Sequence, residues 1–177
     1  MGSRLETLAA VGGLRIDAEA LARLPTEAQE QVRDQLALVE RALRANPLLG
    51  FSPHGKQAVF MGPPHPRARL FLGGNRSGKT TSGMGYGLVQ CLPDDLVPGH
   101  LQVFKRWGHN EPCFGRVVTP DLTNTLEGVV LQKVRDWCPP AALRGGSADR
   151  AFDRVQRVLR FKNGSWIQFM SNDQDLD

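Results

Sequence analysis

At 177 residues, with 41% hydrophobic and 23% charged side chains, the chain can bury a sizeable core in one ordinary domain, with or without a helical extension. It contains no apolar run of about eighteen residues, the length at which a membrane-crossing helix becomes feasible, and residues 1–10 carry Arg4 and Glu6 without the apolar stretch of a secretory signal, so a soluble intracellular protein is expected. The 22 Lys and Arg exceed the 18 Asp and Glu by a formal +4, which suits a polyanionic partner without requiring one.

In chain order, the first patterned segment is 27–45. Thr26 and Gln29 have the spacing of a capping box, and Ala28, Val32, Leu36, Val39 and Leu43 recur at helical spacing until Asn46-Pro47 ends the pattern. The opposite side, with Glu30, Arg33, Asp34, Glu40, Arg41 and Arg44, reads as a solvated face. Residues 47–67 include Gly62-Pro63-Pro64-His65-Pro66 and are expected to form an extended connection.

A short apolar strand is predicted over 69–72, a glycine-rich turn over 73–78, and then a helix ending near Leu92-Pro93. Residues 96–112 have no clean period and read as an irregular insertion at the rim of the sheet. Arg116-Val117-Val118-Thr119 reads as a second, buried strand, and 122–137 as a helix stopped by Pro139-Pro140. Segments 155–161 and 165–170 alternate around Lys162-Asn163-Gly164, predicting a hairpin. The alternation of strand and helix predicts an α/β fold with a mostly parallel sheet.

Three cysteines, Cys91, Cys113 and Cys138, form no CxxC pair, which argues against a disulfide framework and a zinc ribbon and for reduced thiols. His100, His109 and Cys113 lie close in sequence but lack a second ligand pair, so no metal site is read there.

Gly73-Gly74-Asn75-Arg76-Ser77-Gly78-Lys79-Thr80 satisfies the full GxxxxGK[ST] pattern of a phosphate-binding loop. Small residues let such a loop wrap a triphosphate with its amides pointing inward, at the positive end of the following helix. Lys79 is expected to reach the β- and γ-phosphates, and Thr80 to complete the coordination of Mg²⁺, with Thr81 and Ser82 near the α-phosphate. Arg76 is either a guanidinium stabilising charge at the γ-phosphate or a solvent-facing arginine. The expected fold is therefore a P-loop NTPase preceded by a helical extension.

GGNRSGKT, the upstream Pro53-His54-Gly55-Lys56-Gln57-Ala58-Val59-Phe60, and their spacing resemble the ATPase domain of bacteriophage terminase large subunits, the motors that package viral DNA; the likeness runs from about Pro53 to the end, with gaps. The stretch 161–171 is similar to the region that precedes the acidic strand in that family. The resemblance implies that Gln57 reads the adenine edge, as in the Q motif of helicases, although a glutamine holding a turn is the other reading. It implies the RecA-like (ASCE) kind of P-loop fold, incomplete at its C-terminal side, and divides the chain into a helical extension (1–50), an adenine-motif segment and linker (51–66) and a partial ATPase domain (67–177). It implies ATP and Mg²⁺ as cofactors, with double-stranded DNA, a portal protein, a small terminase subunit and a homo-oligomeric ring as partners, in the cytoplasm of an infected host and transiently on the procapsid. Arg144, Arg150 and Arg154 are candidates for an arginine offered to a neighbouring subunit, or else ordinary surface charges.

Such an ATPase needs a carboxylate pair after an apolar strand. Asp94-Asp95 follows the end of the loop helix and Asp121 reads as a helix cap, so neither supplies the pair; the resemblance implies that the acidic strand lies shortly beyond Asp177, the chain then being a truncated piece or the product of an interrupted gene. The alternatives are a small-molecule kinase, which needs an arginine-rich lid, and a non-catalytic nucleotide- or partner-binding module; a GTPase lacks its NKxD and DxxG motifs here.

Overall fold

The structure is a computed structural model that describes residues 18–65, 68–70, 72, 77–106, 111–119 and 122–171, the side chains of 18 and 122–125 excepted. Two helices, α1 (Ala18–Ala22) and α2 (Thr26–Ala45), open the described chain. The expected Thr26–Gln29 capping box does not form: Pro25, at φ −55 and ψ 148, takes the cap position and draws Thr26 into the first turn, while Gln29 Nε2 donates to Leu24 O at 2.9 Å. Along α2 the residues at 28, 32, 36 and 43 are half-buried, Val39 is exposed, and no residue is fully buried.

Residues 47–61 are more regular than their composition suggests. Pro47–Gly50 forms a 3₁₀ turn and Gly55–Met61 a helix, α3, so among the described residues of the expected extended connection, 51–54 and 62–65 are irregular. Leu48 and Met61 are fully buried and Phe51 nearly so. At about 1.5–3 kcal/mol for each such side chain, packing can hold a seven-residue helix that would not form alone.

Helix α4 (Lys79–Cys91) ends at Leu92, as the sequence predicts. The strand predicted over 69–72 is not seen among the described residues of that segment: 69, 70 and 72 are irregular, and Leu70 and Leu72 are each 80% exposed. The 96–112 region is not a rim insertion, since the 3₁₀ turn Gly99–Phe104 sends Leu101 and Phe104 into the core. Gln90 fastens it, donating to Phe104 O and accepting from Arg106 N, both at 2.8 Å.

The remaining elements are β1 (Phe114–Thr119), a π-helical segment Leu122–Val130 that continues into α5 (Leu131–Trp137), α6 (Ala148–Ala151), β2 (Phe152–Asp153), β3 (Val158–Arg160) and β4 (Trp166–Ser171). The four strands form one sheet in the order β1-β4-β3-β2. Only β1 and β4 run parallel; β3 is antiparallel to β4, and β2 to β3.

The expectation of a mostly parallel P-loop NTPase sheet is thus overturned. Two tight turns account for the difference. Gly164 at φ 89 closes the β3–β4 hairpin, with Asn163 Oδ1 accepting from Ser165 N, and Asp153 Oδ1 accepts from Val155 N and Gln156 N to close β2–β3, a hairpin the sequence reading missed. Strand β1, read as buried, lies at the sheet edge with Phe114 and Val118 more than half exposed. Ile167, Phe169 and Leu159 on one face of the sheet join Leu88 and Val89 of α4 and Val134 of α5 in a single apolar cluster. No helix among the described residues is long and apolar enough to cross a membrane.

Candidate functional site

The first turn of α4 starts from Gly78, whose φ of +79 and ψ of 17 place it in the left-handed region. A side chain there would be strained by that φ, and its Cβ would stand 2.3 Å from Gln57 Nε2, so both conformation and space call for glycine. Ser82 N donates to Gly78 O at 2.8 Å to begin the helical ladder, and the first amides of a helix, which have no partner within it, point out of its N-terminal end. Those donors and the helix dipole make an electropositive terminus.

Lys79 and Thr80 are exposed on this turn and face the C-terminal half of β1 across a crevice of about 450 Å³. Its walls come from Gly83 and Met84 of α4, from the run of β1 between Arg116 and Thr119, and from Val130. Arg116 is a residue that sequence reading passed over; as the one charged residue in an otherwise uncharged strand, it was the available signal. Its guanidinium donates to Gln168 Oε1 at 3.2 Å, which holds it on the sheet. No carboxylate lines this crevice among the described residues.

Gln57 is buried beside the same helix end. Its Oε1 accepts from His54 N at 3.0 Å, capping α3, and its Nε2 donates to Gly78 O at 3.4 Å. A carboxamide offers two N–H donors and two acceptor lone pairs, so one of each is left, the donor–acceptor combination an adenine edge takes. Below it, the Arg69 guanidinium donates to the carbonyls of Phe60, Gly62 and Pro64 and to His65 Nδ1, and lies 5.5 Å from the centre of the Tyr86 ring. Burial and the neighbouring Arg69 charge hold His65 below its usual pKa, keeping it neutral as an acceptor.

The other predicted site residues fall as follows. Gly73, Gly74, Asn75 and Arg76 lie outside the described residues, as do His109 and Asp121. Ser77 Oγ is buried and has no hydrogen-bond partner among the described residues. Thr81 is half-buried, while Ser82 Oγ donates to Gly78 O at 2.8 Å and is committed to the helix. His100 Nε2 contacts Phe51 O at 2.9 Å, a structural role. Asp94 pairs with Lys105, whose ammonium also donates to Leu92 O at 2.7 Å. Arg144, Arg150 and Arg154 are exposed; Arg150 on α6 and Arg154 in the β2–β3 turn flank the sheet edge opposite β1. Three strand spacings, roughly 14 Å, separate that edge from the crevice beside Lys79.

The residues present fit a nucleotide phosphate and its cation. The orphaned Ser77 hydroxyl, the left-handed Gly78, the helix-end amides and the Lys79 ammonium all suit an anion, and the Thr80 hydroxyl is an oxygen donor of the kind Mg²⁺ prefers. Compared with known proteins, the chain matches no family model, no curated protein and no solved structure.

Proposed function

We propose that this chain binds Mg-ATP at the N-terminus of α4 and is the ATP-binding portion of a viral genome-packaging motor of the terminase large-subunit kind. The observation that carries the binding reading is the placement of Lys79 and Thr80, from a complete GxxxxGK[ST] signature, on a helix end opened by Gly78 and facing the β1 crevice. Lys79 and the amides of the first turn hold the phosphates; Arg116 adds a second cation from the opposite wall. Thr80 supplies a ligand to Mg²⁺, which when bound neutralises phosphate charge. Gln57 fixes Gly78 and turns its remaining donor and acceptor toward the base. Arg76 stabilises charge at the γ-phosphate, as its place in the loop suggests.

The motor reading rests on the resemblance of GGNRSGKT and the Gln57 segment to terminases. In it a homo-oligomeric ring, docked on a portal and supplied with DNA by a small subunit, drives double-stranded DNA into a procapsid. Arg150 and Arg154, at the far edge of the sheet, suit action on a neighbouring subunit's nucleotide rather than their own. The uncharged remainder of the crevice, with no carboxylate among the described lining residues, favours a second reading for this chain by itself: a module that binds nucleotide without turning it over.

Arg116→Gln tests the geometry. Removing this cation is expected to raise the Kd for Mg-ATP roughly fivefold, about 1 kcal/mol, in a calorimetric titration. An unchanged Kd would mean that the phosphates do not lie between α4 and β1.

A further inference from the structure

The far end of α4 carries a feature that nucleotide binding does not use. Cys91, the last residue of the helix, and Cys113, immediately before β1, both line a second cavity of about 250 Å³, walled also by Gly87, Gln90 and Phe114. Cys91 Sγ lies 4.0 Å from the backbone Cys113 O, so the two cysteines are neighbours at the cavity wall. Cys91 is buried, whereas Cys113 is about half-buried and reachable through the cavity. Neighbouring hydrogen bonds fix both backbones: Asn163 Nδ2 donates to Cys91 O at 3.0 Å, and Cys113 N donates to Ser165 Oγ at 2.9 Å.

We infer that Cys113 and Cys91 form a thiol-oxidation site, in which a peroxide converts the pair reversibly into a disulfide joining the end of α4 to the start of β1. The roles follow from exposure, Cys113 being reachable through the cavity and Cys91 buried. The neighbouring Cys91 and the Lys105 ammonium lower the Cys113 thiol to about 7, whereas the pairing with Cys113 and burial raise Cys91 well above the ordinary thiol range. Cys113 is therefore the attacking thiolate and Cys91 the resolving thiol.

In the first step Cys113 Sγ attacks one oxygen of hydrogen peroxide. An S–O bond forms, the O–O bond breaks and hydroxide leaves, to take up a proton as water; sulfur is oxidised by two electrons and the peroxide reduced. In the second, Cys91 Sγ attacks the sulfenic sulfur, the S–S bond forms, and the departing hydroxide leaves as water with the Cys91 proton. Two thiols and one peroxide give one disulfide and two waters. Cys138, deep in the core and raised by burial, lacks this access and provides the internal control.

The sequence makes the product easy to read, because trypsin cleaves at Lys105 and Arg106 and separates the two cysteines. The folded full chain is treated with hydrogen peroxide, alkylated after denaturation, digested and analysed by mass spectrometry. Free thiols are expected to fall from three to one, with peptide 80–105 linked to peptide 107–116, Cys138 alkylated, and the link lost on reduction. In Cys91→Ser, Cys113 is expected to be trapped as a sulfenic acid by dimedone; in Cys113→Ser, neither link nor adduct forms at Cys91. A disulfide involving Cys138, a link only between chains, or retention of all three thiols with no dimedone adduct in Cys91→Ser would overturn the inference.

Discussion

Helices α2 and α4 illustrate two ways in which a sequence becomes helical. Helix α2 has 20 residues, a clear apolar stripe and no buried side chain; the element it meets most is the short 3₁₀ turn that follows it. Its stability rests on propensity and on small terms such as the Arg44–Glu40 pair at 2.5 Å, worth about 0.3–0.5 kcal/mol. Helix α4 has 13 residues, three of them the poor helix formers Gly83, Gly85 and Gly87, yet Met84, Leu88, Val89 and Cys91 are buried. Gly85 is needed there, since a Cβ would stand 2.6 Å from the edge of the Phe51 ring. Periodicity identified α2 clearly, but burial, and with it the candidate site, belongs to the less regular helix.

This contrast can be broken by substitution. Leu88→Ala, in the middle of the α4 contact, should cost about 2–5 kcal/mol of stability by denaturant unfolding; a loss below about 1 kcal/mol would show that α4 is not anchored in the core. Gln57→Ala should cost less, about 1–3 kcal/mol, because His54 N loses its acceptor and Gly78 O one of its three donors. It should also weaken nucleotide binding by loosening Gly78, so unaltered affinity would separate α3 from the site. At the lower end, Leu38→Ala on exposed α2 should stay within about 0.5 kcal/mol of the parent. A larger loss would mean that α2 has a packing partner that the described residues do not provide.

What was legible in the sequence was local. The stop of α4 at Leu92-Pro93 and the turn around Asn163-Gly164 each depend on chemistry within a few residues. The sheet was misjudged because the apolar residues 70 and 72 suggest a strand, and because Asp153 closes a hairpin through side-chain hydrogen bonds that hydrophobic alternation does not reveal. Helix α3 was hidden by the prolines that follow it; it is held by the local His54–Gln57 cap and by the tertiary burial of Met61 in the core. Of the residues lining the candidate crevice, Lys79 and Thr80 are singled out by motif spacing, whereas Arg116 joins them only because β1 is placed opposite α4.

The most direct test is a calorimetric titration of Mg-ATP into this chain and into Lys79→Ala, with phosphate release followed in parallel and GTP for comparison. The account predicts saturable ATP binding to the parent chain, weakened at least tenfold, or about 1.4 kcal/mol, in Lys79→Ala, with a preference over GTP. Equal affinity for parent and variant would contradict it, because the nucleotide would then lie elsewhere than at the N-terminus of α4.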